Sequence, residues 1–448
     1  FQLEACELLD GGNSLLVAAP TGAGKTVVAE YAIFLAMSEP SDKVFYTTPM
    51  KALSNQKYSE LVEAWGSENV GLLTGDVNIN SDARIVVMTT EVLRNMLYAD
   101  SDAVRSLRYV VMDEVHYLAD KFRGAVWEEV IIHLPEEVRL VSLSATVSNA
   151  EEFGAWLQAV RGNTEIVVSE DRPVPLDQHV RSACISLLGE RQLLPAIFFI
   201  FSRKGCDEAV QQCVRDGVRL TDQRERSEIN DVVDAHCHHL NDEDLSALGF
   251  WQWREGLERG VAAHHAGLIP AFKEVVEVLF QRKLVKVVFA TETLALGINM
   301  PARTVVLEKL EKFNGESRVP LTPGEYTQLT GRAGRRGIDV EGHSVIQWSP
   351  MLNPQMVASL ASKRTYPLNS SFRPTYNMAV NLISQFGRDK TRELLELSFA
   401  QFQADRAVVG LAQKIQDMTG SLSGYESSMT CHLGDFAEYQ KIRRTLTD

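Results

Sequence analysis

The chain has 448 residues, 45% hydrophobic and 23% charged, enough for two or three domains with sizeable cores. A net charge of −14 argues against a broadly basic nucleic-acid coat and leaves only a local basic groove on an acidic body. No apolar run reaches about 18 residues, so no membrane span is expected, and six cysteines without paired C-x-x-C spacing favour a reducing compartment, the cytoplasm, over a disulfide framework.

The sequence opens at Phe1 in domain-like sequence without Met or leader, which suggests a fragment. The first strong pattern is an apolar run, Ser14 to Val17, then AAPTGAGKT at Ala18 to Thr26, then an amphipathic run from Val27: strand, glycine-rich loop, helix. Gly22 and Gly24, with Thr21 beside them, let the backbone turn and approach a polyphosphate at a helix N-terminus. Lys25 supplies a charge for the β- and γ-phosphates and the Thr26 hydroxyl suits Mg2+. Ala19 stands where the usual first glycine would be, so the match to G-x-x-x-x-G-K-[ST] is not literal; the alternative is a glycine turn that binds nothing. The helix from Val27 to Met37 is expected to lay Val27, Val28, Tyr31, Phe34 and Leu35 on a sheet.

Short apolar strands at Val44 to Tyr46, Ile85 to Met88, Tyr109 to Met112 and Arg139 to Ser142, separated by helical stretches, predict a doubly wound parallel sheet with ligands at its carboxyl edge. Asp113 and Glu114 leave the third of these strands there. Asp113 is placed to meet the Mg2+ that Thr26 also holds, and Glu114 is a candidate general base for an attacking water. Together, AAPTGAGKT and DEVH resemble a superfamily 2 helicase of the DExH kind.

That resemblance organises the remaining motifs. Thr47 to Lys57, with Pro49 and Lys51, offers groups suited to a sugar-phosphate backbone; with Thr74 and Gly75 in LTGD, and Thr90 and Arg94 in TTEVLR, it resembles the family's nucleic-acid motifs. Each alone reads as a turn or helix cap. Ser144 and Thr146 in SAT, with His116 of DEVH, resemble groups that couple hydrolysis to strand movement. Gln2 is similar to the tail of the adenine-contacting segment.

Asp171 to Pro175, DRPVP, is an extended linker. A second strand series, Ala196 to Ile200, Gly260 to Ala263, Lys286 to Phe289, Thr304 to Leu307 and Ser344 to Gln347, has no phosphate loop and is expected to complete the first domain's site. QLTGRAGRRG at Gln328 to Gly337 supplies the means: Arg332 and Arg335, three apart, would share a helix face and reach a γ-phosphate, with Gln328 orienting water. TETLALGINMP resembles the fifth helicase motif, placing Thr291 on nucleic acid and Gly297 and Asn299 near the nucleotide; Ser202, Arg203 and the HHAGL run complete the set. These versions together resemble the superkiller-type RNA helicases, which include the helicase of the nuclear exosome.

Between Gln178 to Arg181 and Ala196 to Ile200 the family pattern leads us to expect a longer basic insertion, with residues missing near Leu188 to Arg191. His236 to His239 (HCHH) invites a zinc reading, but four adjacent ligands cannot wrap one tetrahedral ion, and a polar loop is the alternative. Trp251 and Trp253 are read as core aromatics. SFRPTYNMAVNL resembles the start of a winged helix, and 407–448 the start of a helical stalk with a turn region at Ser421, Gly424 and Ser427.

The expectation is therefore an α/β protein: RecA-like domains at 1–172 and 173–350, a partial winged helix at 351–406 and a truncated stalk at 407–448. The resemblance implies a monomeric ATP- and Mg2+-dependent 3′ to 5′ RNA translocase, with RNA-decay or ribosome-processing partners at the stalk and no membrane. A DNA repair helicase stays open, as does a nucleic-acid scaffold with a vestigial ATPase, although no catalytic group is missing.

Overall fold

The computed structural model describes residues 1–120, 123–181, 185–238, 240–295, 300–313, 317–350, 352–362, 366–428, 430–431 and 434–447. In chain order the first part forms α1 (Gln2–Asp10), β1 (Ser14–Ala18), α2 (Thr26–Ser38), β2 (Lys43–Thr48), α3 (Lys51–Trp65), β3 (Val70–Leu73), β4 (Asn78–Ile79), β5 (Ile85–Thr89), α4 (Thr90–Tyr98), β6 (Leu107–Met112), α5 (Ala125–His133), β7 (Arg139–Ser144), α6 (Ala150–Arg161) and β8 (Thr164–Val168). The strands form one sheet in the order β4-β3-β5-β2-β6-β7-β1-β8, parallel except for β4. All five residues of β1 are buried, as a central strand covered on both faces requires.

Helix α2 rotates the expected face. Val28, Ala29, Ala32, Ile33 and Ala36 are buried, whereas Val27 and Phe34 are 45% and 53% exposed. The three alanines let the helix lie close on the sheet, and the Tyr31 hydroxyl turns outward to donate to Asp10 of α1 at 2.8 Å.

After the linker come β9 (Leu176–Arg181), α7 (Ile185–Glu190), β10 (Ala196–Phe199), α8 (Arg203–Arg215), α9 (Gln223–Cys237), α10 (Asp242–Ala247), α11 (Phe250–Glu258), β11 (Val261–His264), α12 (Pro270–Gln281), β12 (Val287–Ala290), β13 (Thr304–Leu307), β14 (Glu311–Phe313), β15 (Arg318–Pro320), α13 (Pro323–Thr330), β16 (Gly342–Gln347) and α14 (Pro354–Ser362). Strands β11-β12-β10-β13-β16-β9 make a second, wholly parallel sheet. Both sheets are the RecA-like doubly wound kind that the motif order predicts.

Helix α7 closes through a tight turn in which the Leu193 N–H donates to the Leu188 carbonyl at 2.8 Å, and Leu188 is buried against Ala196, Val306 and Val345. One local expectation, on the tryptophans, is corrected here. Trp253 does pack in the core, stacked on Phe272 at 3.9 Å, but Trp251 is 64% exposed. In the HCHH run, His236 and His238 bond through Nδ1 to the carbonyls of Val232 and Ala235 and Cys237 is buried, so these groups do not converge on an ion; His239 lies outside the described residues.

Phe1–Tyr117 and His133–Leu368 form one compact unit; Leu118–Ile132 and Asn369–Asp448 form another. The second contains α15 (Tyr376–Glu396), kinked at Gly387, α16 (Phe399–Ser428), the hairpin of β17 (Thr430–Cys431) and β18 (Gly434–Asp435), and α17 (Phe436–Thr447). The expected turn at Ser421 to Ser427 is absent. Helix α16 runs through it, because an interior glycine costs only about 1 kcal/mol against propagation of a long helix.

In that second unit Glu128 is fully buried and accepts from the Ser370 hydroxyl and, at 2.8 Å, from the Phe399 N–H. Burial pushes its carboxyl from the ordinary 4.5 up to about 7, outweighing those hydrogen bonds. The folded state therefore holds a proton that the unfolded chain releases, and stability present below pH 4.5 is lost as pH rises through 7. Glu128→Gln mimics the protonated acid. Its unfolding profile from pH 5 to 8 should flatten, gaining about 3 kcal/mol over the wild type at the alkaline end; parallel profiles would contradict the assignment.

Candidate nucleotide and nucleic-acid sites

Strand order divides the carboxyl edge of the first sheet into two halves. Neighbours β6, β7 and β1 end at Asp113–His116, Ser144–Thr146 and the phosphate loop. Neighbours β3, β5 and β2 end at Thr74–Gly75, Thr90–Arg94 and Pro49–Lys51. The phosphate-handling and backbone-handling motifs, scattered through the sequence, thus form two adjacent rows.

In the first row Gly22 and Gly24 adopt φ of 80° and 88°, a conformation that L side chains rarely take. The Lys25 ammonium donates to the carbonyls of Ala19 and Pro20 at 2.8 and 3.1 Å, spanning the cradle that phosphate oxygens would enter. Burial lowers its pKa, opposed by Glu114 and Asp113. Thr26 is the first residue of α2, with its side chain half-buried. Gln2 sits on the loop itself, its amide donating to the Gly24 carbonyl at 2.8 Å. A Cβ on Gly24 would lie 2.6 Å from the Gln2 amide nitrogen and 2.7 Å from Arg336 Nη1. Gly24→Ala should therefore raise the KM for ATP about 10-fold or more through strain of about 1–3 kcal/mol, and an unchanged KM would show that the loop can relax.

Asp113 accepts from the Tyr46 hydroxyl at 2.8 Å and from the Glu114 N–H at 2.9 Å. Burial and the neighbouring Glu114 raise its pKa, the condition of a carboxylate that needs a cation. Glu114 has φ of 53°, a strained left-handed backbone that turns its carboxylate out of the strand line. His116 joins the two motifs: its Nδ1 lies 3.4 Å from Glu114 Oε2 and accepts from the Ala145 N–H at 3.4 Å. Burial, reinforced by Lys25, lowers its pKa to about 4, so it is a neutral connector at pH 7. The Ser144 carbonyl in turn accepts from Ala19 N–H at 3.1 Å, and Thr146 is buried one strand end away.

The second sheet brings its motif to this edge through α13, which carries half-buried Gln328. The sequence expectation of a helix bearing both arginines is corrected: α13 ends at Thr330, and Arg332 and Arg335 lie on the loop beyond it. Burial lowers the pKa of Arg332, and the charges of Glu114 and Tyr117, within electrostatic reach of its guanidinium, oppose that shift. Arg335 instead makes a two-pronged ion pair with Asp339, at 2.7 Å on both prongs, within its own loop. Arg336 reaches the phosphate loop, its Nη1 3.4 Å from the Ala23 carbonyl.

Sequence reasoning passed over Arg336 as a third arginine in a run, and Arg172 as part of a linker. Arg172 ties Val174 to the carbonyl of Ala333. Tyr366 was also missed: its ring lies against Gly324 of α13 and its carbonyl accepts from Ser148 at 2.8 Å, strapping the two sheets' elements together. A lone tyrosine in a loop carries no sequence signal. Thr21, Arg172, Gly331, Arg332 and Arg336 line a cleft of about 400 Å³, within the range of small-ligand sites.

In the other row Lys51 pairs with Asp76, and the Thr74 hydroxyl donates to Asp76 at 3.2 Å. Thr90 is buried and donates to the Thr48 carbonyl at 3.2 Å; Arg94 bonds Asn95. Pro49 and Gly75 lie in the adjoining loops. The second sheet repeats the pattern. Neighbouring β12 and β10 end at Thr291, hydrogen-bonded to Thr293 at 2.9 Å, and at Ser202, which caps α8 by accepting from Gly205 N–H, with Arg203 next. Gly297 and Asn299 lie outside the described residues.

Residues 1–153 match the DEAD/DEAH box helicase family, and residues 236–337 match the helicase conserved C-terminal domain. The whole chain is 53% identical to "Probable helicase HelY" of Mycobacterium tuberculosis, covering 56% of it. It is 36% identical to the exosome RNA helicase MTR4 of Homo sapiens, covering 47%, and 37% identical to superkiller complex protein 2 of Mus musculus, covering 41%. The chain thus spans about half the length of these relatives. It carries the two helicase domains in tandem, and over its whole length it is similar to helicases named for the exosome and the superkiller complex.

Proposed function

We propose that this chain is the ATP-hydrolysing part of an RNA helicase that translocates 3′ to 5′ on single-stranded RNA. The observation that carries the reading is the contact of the second sheet's arginine motif with the phosphate loop, Arg336 Nη1 lying 3.4 Å from the Ala23 carbonyl, with Arg332 in electrostatic reach of Glu114. Domains at 1–172 and 173–350 would supply the two walls of the cleft, with 351–406 and 407–448 as winged-helix and stalk segments. Because one chain supplies every group, a monomer suffices.

On ATP binding, Lys25 exchanges its loop carbonyls for phosphate oxygens, Glu114 accepts the proton of the attacking water, with Gln328 orienting that water, and Arg332 meets charge on the transferring phosphoryl group. Two adjacent carboxylates, one of them buried, fit a divalent cation: Thr26 and Asp113 would hold Mg2+, which would supply charge neutralisation to the phosphates. Arg335 would join once the cleft closes and Asp339 releases it. His116, bonded to Ala145, passes the state of Glu114 to Ser144–Thr146.

The rows ending at Pro49, Lys51, Thr74, Gly75, Thr90 and Arg94 in one domain, and at Ser202, Arg203 and Thr291 in the other, would grip successive stretches of backbone. The relatives named for the exosome and the superkiller complex support RNA decay as the setting and partner proteins at 407–448. The test is ATP-driven displacement of streptavidin from biotinylated RNA. Release from the 5′ end alone supports the reading, and release from the 3′ end alone, or only from DNA, overturns it.

A further inference from the structure

We propose that Asp177, His179 and His343 form a zinc site at the edge of the second sheet. Strand β9 is the outermost strand and pairs in parallel with β16, with Asp177 opposite His343. Asp177 and His179, two apart, point to the same face of β9.

Three donor atoms converge there. His179 Nε2 lies 2.9 Å from Asp177 Oδ2 and 3.4 Å from His343 Nδ1, and His343 Nδ1 lies 3.9 Å from Asp177 Oδ2. A tetrahedral ion with ligands at about 2.0–2.1 Å sets neighbouring donor atoms about 3.3 Å apart, so these separations bracket one face of that tetrahedron. Among the described residues no other three His, Cys, Asp or Glu donors converge in this way.

The surroundings support a metal over a plain hydrogen-bonded cluster. Without an ion, each neutral imidazole can direct one N–H into the cluster, toward the Asp177 carboxylate or the other ring. His343 is 5% exposed, so its ring is held in place among its neighbours rather than moving in solvent. Its outer nitrogen, Nε2, is buried without a hydrogen-bond partner, 3.7 Å from the Glu341 carboxylate. Two imidazoles and one carboxylate suit Zn2+ rather than Mg2+ or Ca2+. Asp177 is half exposed, which leaves the fourth position to water. The ion would pin the edge strand at its root, directly after the linker between the sheets.

The full chain, stripped with chelator and dialysed against Zn2+, should retain one ion. Co2+ in its place should show the visible absorption of a tetrahedral site, and Zn2+ should raise the melting temperature. His179→Ala and Asp177→Asn should each weaken Zn2+ by about 100-fold or more and abolish the thermal shift. His236→Ala/His238→Ala serves as control and should bind as the wild type does. No retained ion, retention unaffected by His179→Ala, or retention lost only in the control would overturn the site. Because the readout is metal content and stability, failure here is separable from failure of the helicase reading.

Discussion

Arg332→Ala should bind ATP and fail to turn it over, with kcat lowered about 10³-fold or more, roughly 4 kcal/mol, and affinity changed by less than about 10-fold. The buried guanidinium is within electrostatic reach of Glu114, the proposed base, so its charge is expected to act on the transition state rather than on initial capture. Arg332→Lys should not rescue, because an ammonium cannot reproduce the planar fork. Arg336→Ala should show the opposite split, weakening ATP binding more than turnover, since Arg336 touches the phosphate loop backbone at Ala23. Equal kcat losses in both variants would remove the distinction.

Glu114→Gln should trap ATP, with single-turnover hydrolysis falling about 10²- to 10⁴-fold. The substitution keeps side-chain size and the strained φ of 53°, and it removes only the proton acceptor. Unchanged turnover would take Glu114 out of the role and leave its charge, within electrostatic reach of Arg332, structural. The depressed pKa of His116, about 4, adds a constraint: no activity change between pH 6 and 8 should trace to its protonation.

The phosphate loop was legible because its glycines, lysine and threonine are close in sequence and sit between a strand and a helix. DEVH was legible only in its company. The two rows of motifs were legible as a set, but their adjacency is a property of strand order, which no single segment encodes. Misreadings came where tertiary context outweighs spacing. Arg332 and Arg335 have helical spacing, yet α13 ends before them, and Asp339 four residues on captures Arg335. On α2 the larger apolar residues were assigned to the sheet, whereas the alanines are what allow close packing. Edge strands such as β9, with its polar LDQHV, carry little apolar signal, which is why the Asp177, His179 and His343 cluster could not be seen before β9 and β16 were paired.

The most direct measurement of the central claim is steady-state ATP hydrolysis by the full chain, side by side with single-stranded RNA and single-stranded DNA of the same sequence. Stimulation by RNA well above DNA, weakening as salt rises because the grip is on phosphates, is the expected result. Equal rates with and without nucleic acid, or much stronger stimulation by DNA, would contradict an RNA-driven motor built on this cleft.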